Sequence, residues 1–169
     1  MGLYSLAAVN EWSEEAFVEA FGDLFEDTPA IAHHLAQQRP FTSVAAFQDA
    51  IASRLTSLTS VERTAFLCAH PDLGSKARMA DASVQEQAGA GLDRLTEAEF
   101  ARFQQLNQAY RERFEIPFIV AVRNHTKASI LAAFEERLHH LIEAEHDHAL
   151  AEVLLIIGFR LGDRLQADA

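Results

Sequence analysis

The chain is short of the residues that ordinarily break or cross-link a polypeptide. Of its 169 residues, one is cysteine, four are proline and seven are glycine. A single cysteine excludes an internal disulfide. Cys68, set in the apolar run AFLCA, is expected to be a small buried hydrophobe. Basic residues are few as well: 14 Lys and Arg against 25 Asp and Glu give a formal net charge of -11, which argues against a nucleic-acid partner. The longest apolar run, VLLIIGF, is far below the ~20 residues that cross a bilayer. The N-terminal stretch MGLYSLAAVNEW has no basic region and no apolar core of the secretory kind, and Leu6 stands where myristoylation requires Ser or Thr. The C-terminal tripeptide is not a peroxisomal address. A cytoplasmic protein with no membrane partner is the expectation.

What is present reads as helix. Hydrophobic residues make up 49% and charged residues 23%, the balance of an ordinary globular domain, and the length suits one domain with a core of its own. Helix-start signals recur along the chain. Ser13 precedes two glutamates, with Phe17, Phe21, Leu24 and Phe25 behind them at helical spacing. Thr28-Pro29 reads as a cap followed by a first-turn proline. Thr42 or Ser43 opens VAAFQDAIASRL, and Ser60 opens VERTAFLCA. Ser83-x-x-Glu86 and Thr96-x-x-Glu99 have capping-box spacing. Thr126 starts KASILAAFEERL, and a last helix is expected from about Glu145 to Leu165. Only EIPFIVAV, Glu115 to Val122, is β-branched and proline-bearing enough to be extended. The expected fold is an all-α, single-domain bundle spanning residues 1–169, with one buried extended segment at about 115–122.

Four features have room for chemistry, and each has a plain structural reading beside it. His70, at the end of a helix before Pro71, can cap free carbonyls, or it can serve as a general acid or base at a pocket rim. Glu86 can close a capping box on Ser83, which on spacing alone is the simpler reading; Gln87 beside it has no such task. The extended segment leaves backbone groups without helical partners, and either neighbouring loops or a polar ligand can satisfy them. Arg160 lies at the edge of the stripe formed by Leu150, Val153, Leu154, Ile157, Leu161 and Leu165, where it can reach water or fork onto a carboxylate. The histidines at 139, 140, 146 and 148 come with Glu136-x-x-His139 and Glu143-x-x-His146. Carboxylate-bridged metal bundles draw such pairs from facing helices. Here both fall within eleven residues, so a solvated face is expected rather than a metal site.

Taken together, HPDLG, then S-x-x-EQ, then LNQAYRERFEIPFIVAV, then an E-x-x-x-A helix ending in RL resemble the 2-oxo-4-hydroxy-4-carboxy-5-ureidoimidazoline (OHCU) decarboxylase family, over about Asn10 to Leu165. The resemblance implies an all-helical, cofactor-independent carboxy-lyase of urate breakdown, commonly a homodimer, that makes (S)-allantoin and carbon dioxide from a small anionic substrate. It implies His70 and Glu86 as catalytic residues. Pro71, Ser83, Val84, Gln85, Gln87, Phe118, Ile119, Val120, Ala121, Val122 and Arg160 are implied to bind substrate. Leu155 and the RNHTK turn depart from the family's usual pattern, away from those residues. Two other readings stay open on the residues alone: a non-catalytic helical interaction protein using the VLLIIGF face, and a metal-binding bundle.

Overall fold

A computed structural model describes residues 3–75 and 81–166; Lys76 and the C-terminal tripeptide lie outside the described residues. Among the described residues the structure is helical, and its only bridge of the strand type is Tyr4 to Leu165. In chain order the α-helices are α1 (Leu6–Asn10), α2 (Glu14–Phe21), α3 (Pro29–Ala36), α4 (Val44–Thr56) and α5 (Ser60–Cys68). After them come α6 (Asp81–Gly89), α7 (Glu97–Phe114), α8 (Lys127–Arg137) and α9 (Ile142–Gly162). No described helix is long and apolar enough to cross a membrane.

The start signals work as chemistry predicts at most positions. Ser13, Ser43 and Thr96 each accept a hydrogen bond from the backbone N–H three residues on, and Thr96 with Glu99 forms a complete capping box. Thr126 caps α8 with Ser129 returning the bond. Helix α5 begins at Ser60, as expected, and Thr59 before it is the cap, its N–H donating to Glu62 Oε2 at 2.9 Å. Two expectations are corrected. Ser83 is the third residue of α6 and not its cap, because the helix already begins at Asp81. The last helix also starts and stops three residues earlier than its apolar stripe implies, with Leu165 left to pair beside Tyr4.

The chain divides into two compact units, Met1–Arg63 with Leu154–Ala169, and Thr64–Val153. The first is built on aromatic packing. Phe17, Phe21 and Phe47 are wholly buried, with Phe47 5.6 Å from the Phe17 ring, 5.5 Å from Phe21 and stacked at 4.4 Å on Phe41. Arg39 ties the surrounding loops by donating to the carbonyls of Val9, Trp12 and Ala36 while lying over the Phe17 ring. The second unit has its own aromatic core, in which Phe118 stacks on Phe134 at 3.7 Å and meets Tyr110 edge-on at 5.2 Å.

Cys68 is exposed, which corrects the expectation of a buried thiol. The core of α5 is carried by Phe66 and Leu67, and the next residue is turned a further ~100° around the helix. Its thiol lies 3.4 Å from the Glu115 carbonyl as donor.

Phe47→Ala is expected to destabilise the protein by about 3–5 kcal/mol, because it leaves a ring-sized void among three other rings. Chemical denaturation monitored by far-UV circular dichroism measures this, and a loss below about 1 kcal/mol would contradict the packing described.

Candidate functional site

The second unit contains His70 and the segment that follows it. Pro71 cannot continue α5, and the turn closes through Gly74, whose φ of +66° is a left-handed conformation. A Cβ there would stand 2.8 Å from Leu95 Cδ1, so both space and backbone call for glycine. Three side chains hold the turn. Asn107 donates to the Leu73 carbonyl at 2.9 Å, Arg111 Nε reaches the Asp72 carboxylate at 2.9 Å, and Gln87 Oε1 accepts from Gly74 N–H at 2.9 Å. His70 is thereby held rigidly, 6% exposed and edge-on to Phe66. Its Nδ1 lies 3.2 Å from the Phe66 carbonyl, which only accepts, so the neutral ring carries its proton on Nδ1 and its basic lone pair on Nε2.

Helix α6 brings in the second set. Ser83 and Gln87 are buried, one turn apart on the inner face, and Val84 and Gln85 point outward. With the helix starting at Asp81, Glu86 is not needed as a capping-box partner for Ser83. Its carboxylate is largely covered and stands 3.5 Å from the Arg123 guanidinium. That pair is at the outer limit of contact, and the arginine is partly in water, so it steers Glu86 more than it stabilises the fold.

The third set is the segment 118–122, buried throughout; the non-helical run is shorter than the expected 115–122, because Glu115 is the left-handed cap of α7 and Val122 already opens a 3-10 helix. Its first part is ordered by two side chains from neighbouring helices. Arg137 Nη1 donates to the Ile119 carbonyl at 2.8 Å, and Ala121 N–H donates to Glu152 Oε2 at 2.8 Å. The carbonyls of Ala121 and Val122 accept from Asn124 and His125 as the chain turns into the 3-10 helix Val122–Asn124. Among the described residues, no protein group meets the N–H or the C=O of Val120, which is 3% exposed. Leaving such groups unmet costs about 1–3 kcal/mol each. A polar ligand on that edge removes the cost.

Arg137 is itself buried and paired. Its guanidinium stands 2.5 Å from Glu145, a wholly buried carboxylate that also accepts from the Tyr110 hydroxyl and lies 2.7 Å from His140 Nδ1. Burial pushes the Glu145 carboxyl up, but the bonds from Arg137, Tyr110 and His140 outweigh it and hold the group below its ordinary value of 4.5. Burial and the adjacent carboxylate push the Tyr110 hydroxyl up, so it stays protonated and donating.

A family model described as OHCU decarboxylase matches residues 10–162. The chain is 38% identical over 164 residues to a 2-oxo-4-hydroxy-4-carboxy-5-ureidoimidazoline decarboxylase of Haloferax volcanii, covering 97% of this chain and 98% of that one. It is 40% identical over 153 residues to the protein of the same name from Halalkalicoccus jeotgali, covering 90% of this chain and 87% of that one. The chain belongs to the OHCU decarboxylase family. Among solved structures, an (S)-allantoin synthase superposes with a TM-score of 0.77 at 27% identity, over 96% of this chain and 54% of that chain.

As an OHCU decarboxylase family member, the chain carries buried polar residues to which the sequence reading gave no role, although Asn107 and Glu145 stand within the motifs of the resemblance. Arg137 follows Ile130 and Phe134 on the inward face of α8, and Glu145 precedes Ala149 and Val153 on that of α9. A charged residue in step with an apolar stripe was the available signal. Asn107 is another: its Oδ1 is buried and has no partner among the described residues. In the first unit Arg160 is 3% exposed, and its Nη1 donates to the Glu26 carboxylate at 2.9 Å. Glu26 holds a φ of +49°, a strained conformation for a residue with a side chain. Of the histidines, the ligand atoms of His140 and His148 lie with Glu145 within 4.8 Å of one another, a different grouping from the Glu-x-x-His pairs of the sequence. Both Glu145 oxygens already accept hydrogen bonds.

The lowered Glu145 value fixes the sign of its pH dependence. Its contribution to stability is full above about 4.5, where the unfolded carboxyl is ionised, and is lost as pH falls through the lower folded value. Tyr110→Phe removes one donor, lifts the folded value toward 4.5 and costs about 1–3 kcal/mol at neutral pH. Acid titration followed by circular dichroism should show the unfolding midpoint moved to higher pH in the variant. An unchanged midpoint would count against the network.

Proposed function

We propose that the protein removes carbon dioxide from 2-oxo-4-hydroxy-4-carboxy-5-ureidoimidazoline and releases (S)-allantoin. The observation that carries this reading is the match, nearly end to end in both chains, to relatives of that name. The family match runs through both compact units, and the whole chain is read as one catalytic domain acting in the cytoplasm.

The chemistry needs no external electron sink. The carbon that bears the carboxylate also bears a hydroxyl and neighbours a C=N carbon. When the bond to carbon dioxide breaks, its electron pair forms a new double bond to that neighbour, and the C=N pair moves onto nitrogen, which takes up a proton. The product of this step is an enol. His70 Nε2 takes its hydroxyl proton, the oxygen pair closes the carbonyl as the other carbon takes up a proton on one face, and His70 then releases its proton. One proton is thus consumed for each carboxylate lost as carbon dioxide. Glu86 and Gln87 hold ring and ureido nitrogens, with Ser83 on the inner face beside Gln87; Val84 and Gln85, whose side chains point outward, border the substrate only through the backbone of the same segment. Pro71 keeps the imidazole at its place, and the backbone of Phe118, Ile119, Val120, Ala121 and Val122 borders the substrate, with the Val120 edge as the direct polar contact. Such positioning is worth several kcal/mol of the barrier when the fit is close (roughly 7–11 at the limit). Arg160 keeps the role the resemblance implies, drawing in the anionic substrate. No metal and no organic cofactor enters the scheme.

The substrate is best generated in place by urate oxidase and hydroxyisourate hydrolase, with circular dichroism following chiral allantoin. Wild-type protein should accelerate formation of the S product, and His70→Ala should lower turnover by about 10² or more with near-native melting. Racemic product at the uncatalysed rate with wild-type protein would sink the reading.

A second copy of the chain is the proposed macromolecular partner. Leu155 is 49% exposed beside a groove of the first unit lined by Ile51, Ala52, Leu154 and Ile157. If that face is covered by a second copy, Leu155→Glu should shift the protein to the monomer position in size-exclusion chromatography with light scattering. A wild-type monomer would exclude it.

A further inference from the structure

We infer that Glu152 and Arg137 are positioning residues for the reaction: they grip one edge of the extended segment so that the other edge, the N–H and C=O of Val120, is held open for substrate. The inference rests on the proposed function, in which that backbone binds the ureidoimidazoline.

The geometry of extended chain supplies the first step. Along a strand-like run, the N–H and C=O of one residue lie on one edge, and those of the next residue lie on the other. Residues 119 and 121 therefore share an edge, and 120 faces away from it. Two contacts on the 119/121 edge are made by charged side chains: Arg137 Nη1 donates to the Ile119 carbonyl at 2.8 Å, and Ala121 N–H donates to Glu152 Oε2 at 2.8 Å; the Ala121 carbonyl accepts from Asn124 N–H. Donor meets acceptor and acceptor meets donor, as a neighbouring strand would do. The opposite edge, at Val120, has no protein partner among the described residues, although it is buried. A buried segment gripped by two ionised side chains at Ile119 C=O and Ala121 N–H, with Val120 unmet between them, presents a donor and an acceptor side by side to a small polar molecule.

The two grips are anchored differently. Arg137 lies 4.5 Å above the Phe118 ring and is neutralised by Glu145, which Tyr110 and His140 also hold, so its guanidinium cannot swing without breaking a buried ion pair. Glu152 comes from α9, two turns beyond Glu145, and its second oxygen faces His148 at 3.4 Å. It is nearer the surface and accepts one backbone bond, which makes it the better residue to test. Neither side chain is assigned a contact with substrate.

Glu152→Ala removes the acceptor, and Glu152→Gln keeps an acceptor oxygen without the charge. In steady-state assays with substrate generated in place, Glu152→Ala should raise KM about tenfold, the worth of one fixed hydrogen bond, with kcat within about threefold of wild type. Glu152→Gln should restore KM to within about threefold of wild type. Amide hydrogen exchange read by nuclear magnetic resonance should show Ala121 N–H protected in wild type and in Glu152→Gln, and at least about tenfold less protected in Glu152→Ala. Should the alanine variant not fold, Glu152→Asp, one methylene shorter, replaces it with the same expectations. An unchanged KM in an active alanine variant, or unchanged protection of Ala121, would overturn the inference. So would a glutamine variant as impaired as the alanine one, since charge rather than backbone grip would then be responsible. Wild-type protein that turns over no substrate would overturn the functional reading and the positioning role with it, whereas the exchange measurement separately decides whether the contact exists.

Discussion

The buried pair between Arg137 and Glu145 is the interaction on which the second unit turns. Bringing two charges out of water costs several kcal/mol per ion before their attraction is counted, and an apolar pair of the same volume is often as stable. The pair is satisfied because both partners have further contacts: the Tyr110 hydroxyl and His140 on the carboxylate, and the Ile119 carbonyl and the Phe118 ring on the guanidinium. Its charge thus reaches a part of the unit where helix geometry cannot satisfy the backbone. A hydrophobic replacement would fill the volume and leave the Ile119 carbonyl without its donor.

The extended segment explains why a helical protein tolerates that cost. A helix uses its own N–H and C=O groups internally, so its flanks have little backbone polarity to give a ligand. An extended run has two polar edges. Here one edge is engaged by side chains of α8 and α9 and the other is left unmet at Val120. The His70 turn follows the same pattern. Asn107 and Gln87 hold its backbone at the Leu73 carbonyl and the Gly74 N–H, Arg111 holds the Asp72 carboxylate, and His70 Nδ1 meets the Phe66 carbonyl. In both places, rigid helices supply polar side chains whose task is to hold non-helical backbone.

Much of this was legible in the residues. The apolar spacing of Phe17, Phe21, Phe47 and Ile51 and the capping residues Ser13, Ser43 and Thr96 fix helices locally, because periodicity and caps act within a few residues. The exposed Cys68 and the start of α6 at Asp81 were not legible. The first depends on how one helix is rotated in its core. The second shows that an S-x-x-E spacing is compatible with a helix interior as well as with a cap, so Glu86 was read against a task it does not perform. Arg137 and Glu145 keep step with the apolar residues of their helices. Without the partner across 8 residues of chain, however, each reads as a charge at the border of a stripe.

The sequence alone determined the helical class, the helix stop at His70-Pro71, the non-helical run after Pro117 and, through its joined motifs, the family. These depend on short-range chemistry: proline without an N–H, glycine free to adopt positive φ, β-branched residues that resist helix. Only the tertiary structure decided which nitrogen of His70 carries the proton, that Glu152 and Arg137 hold one edge of the extended segment, and that Val120 keeps the other edge unmet. A hydrogen bond between residues 18 or 31 positions apart follows from how helices pack, and no local pattern encodes it.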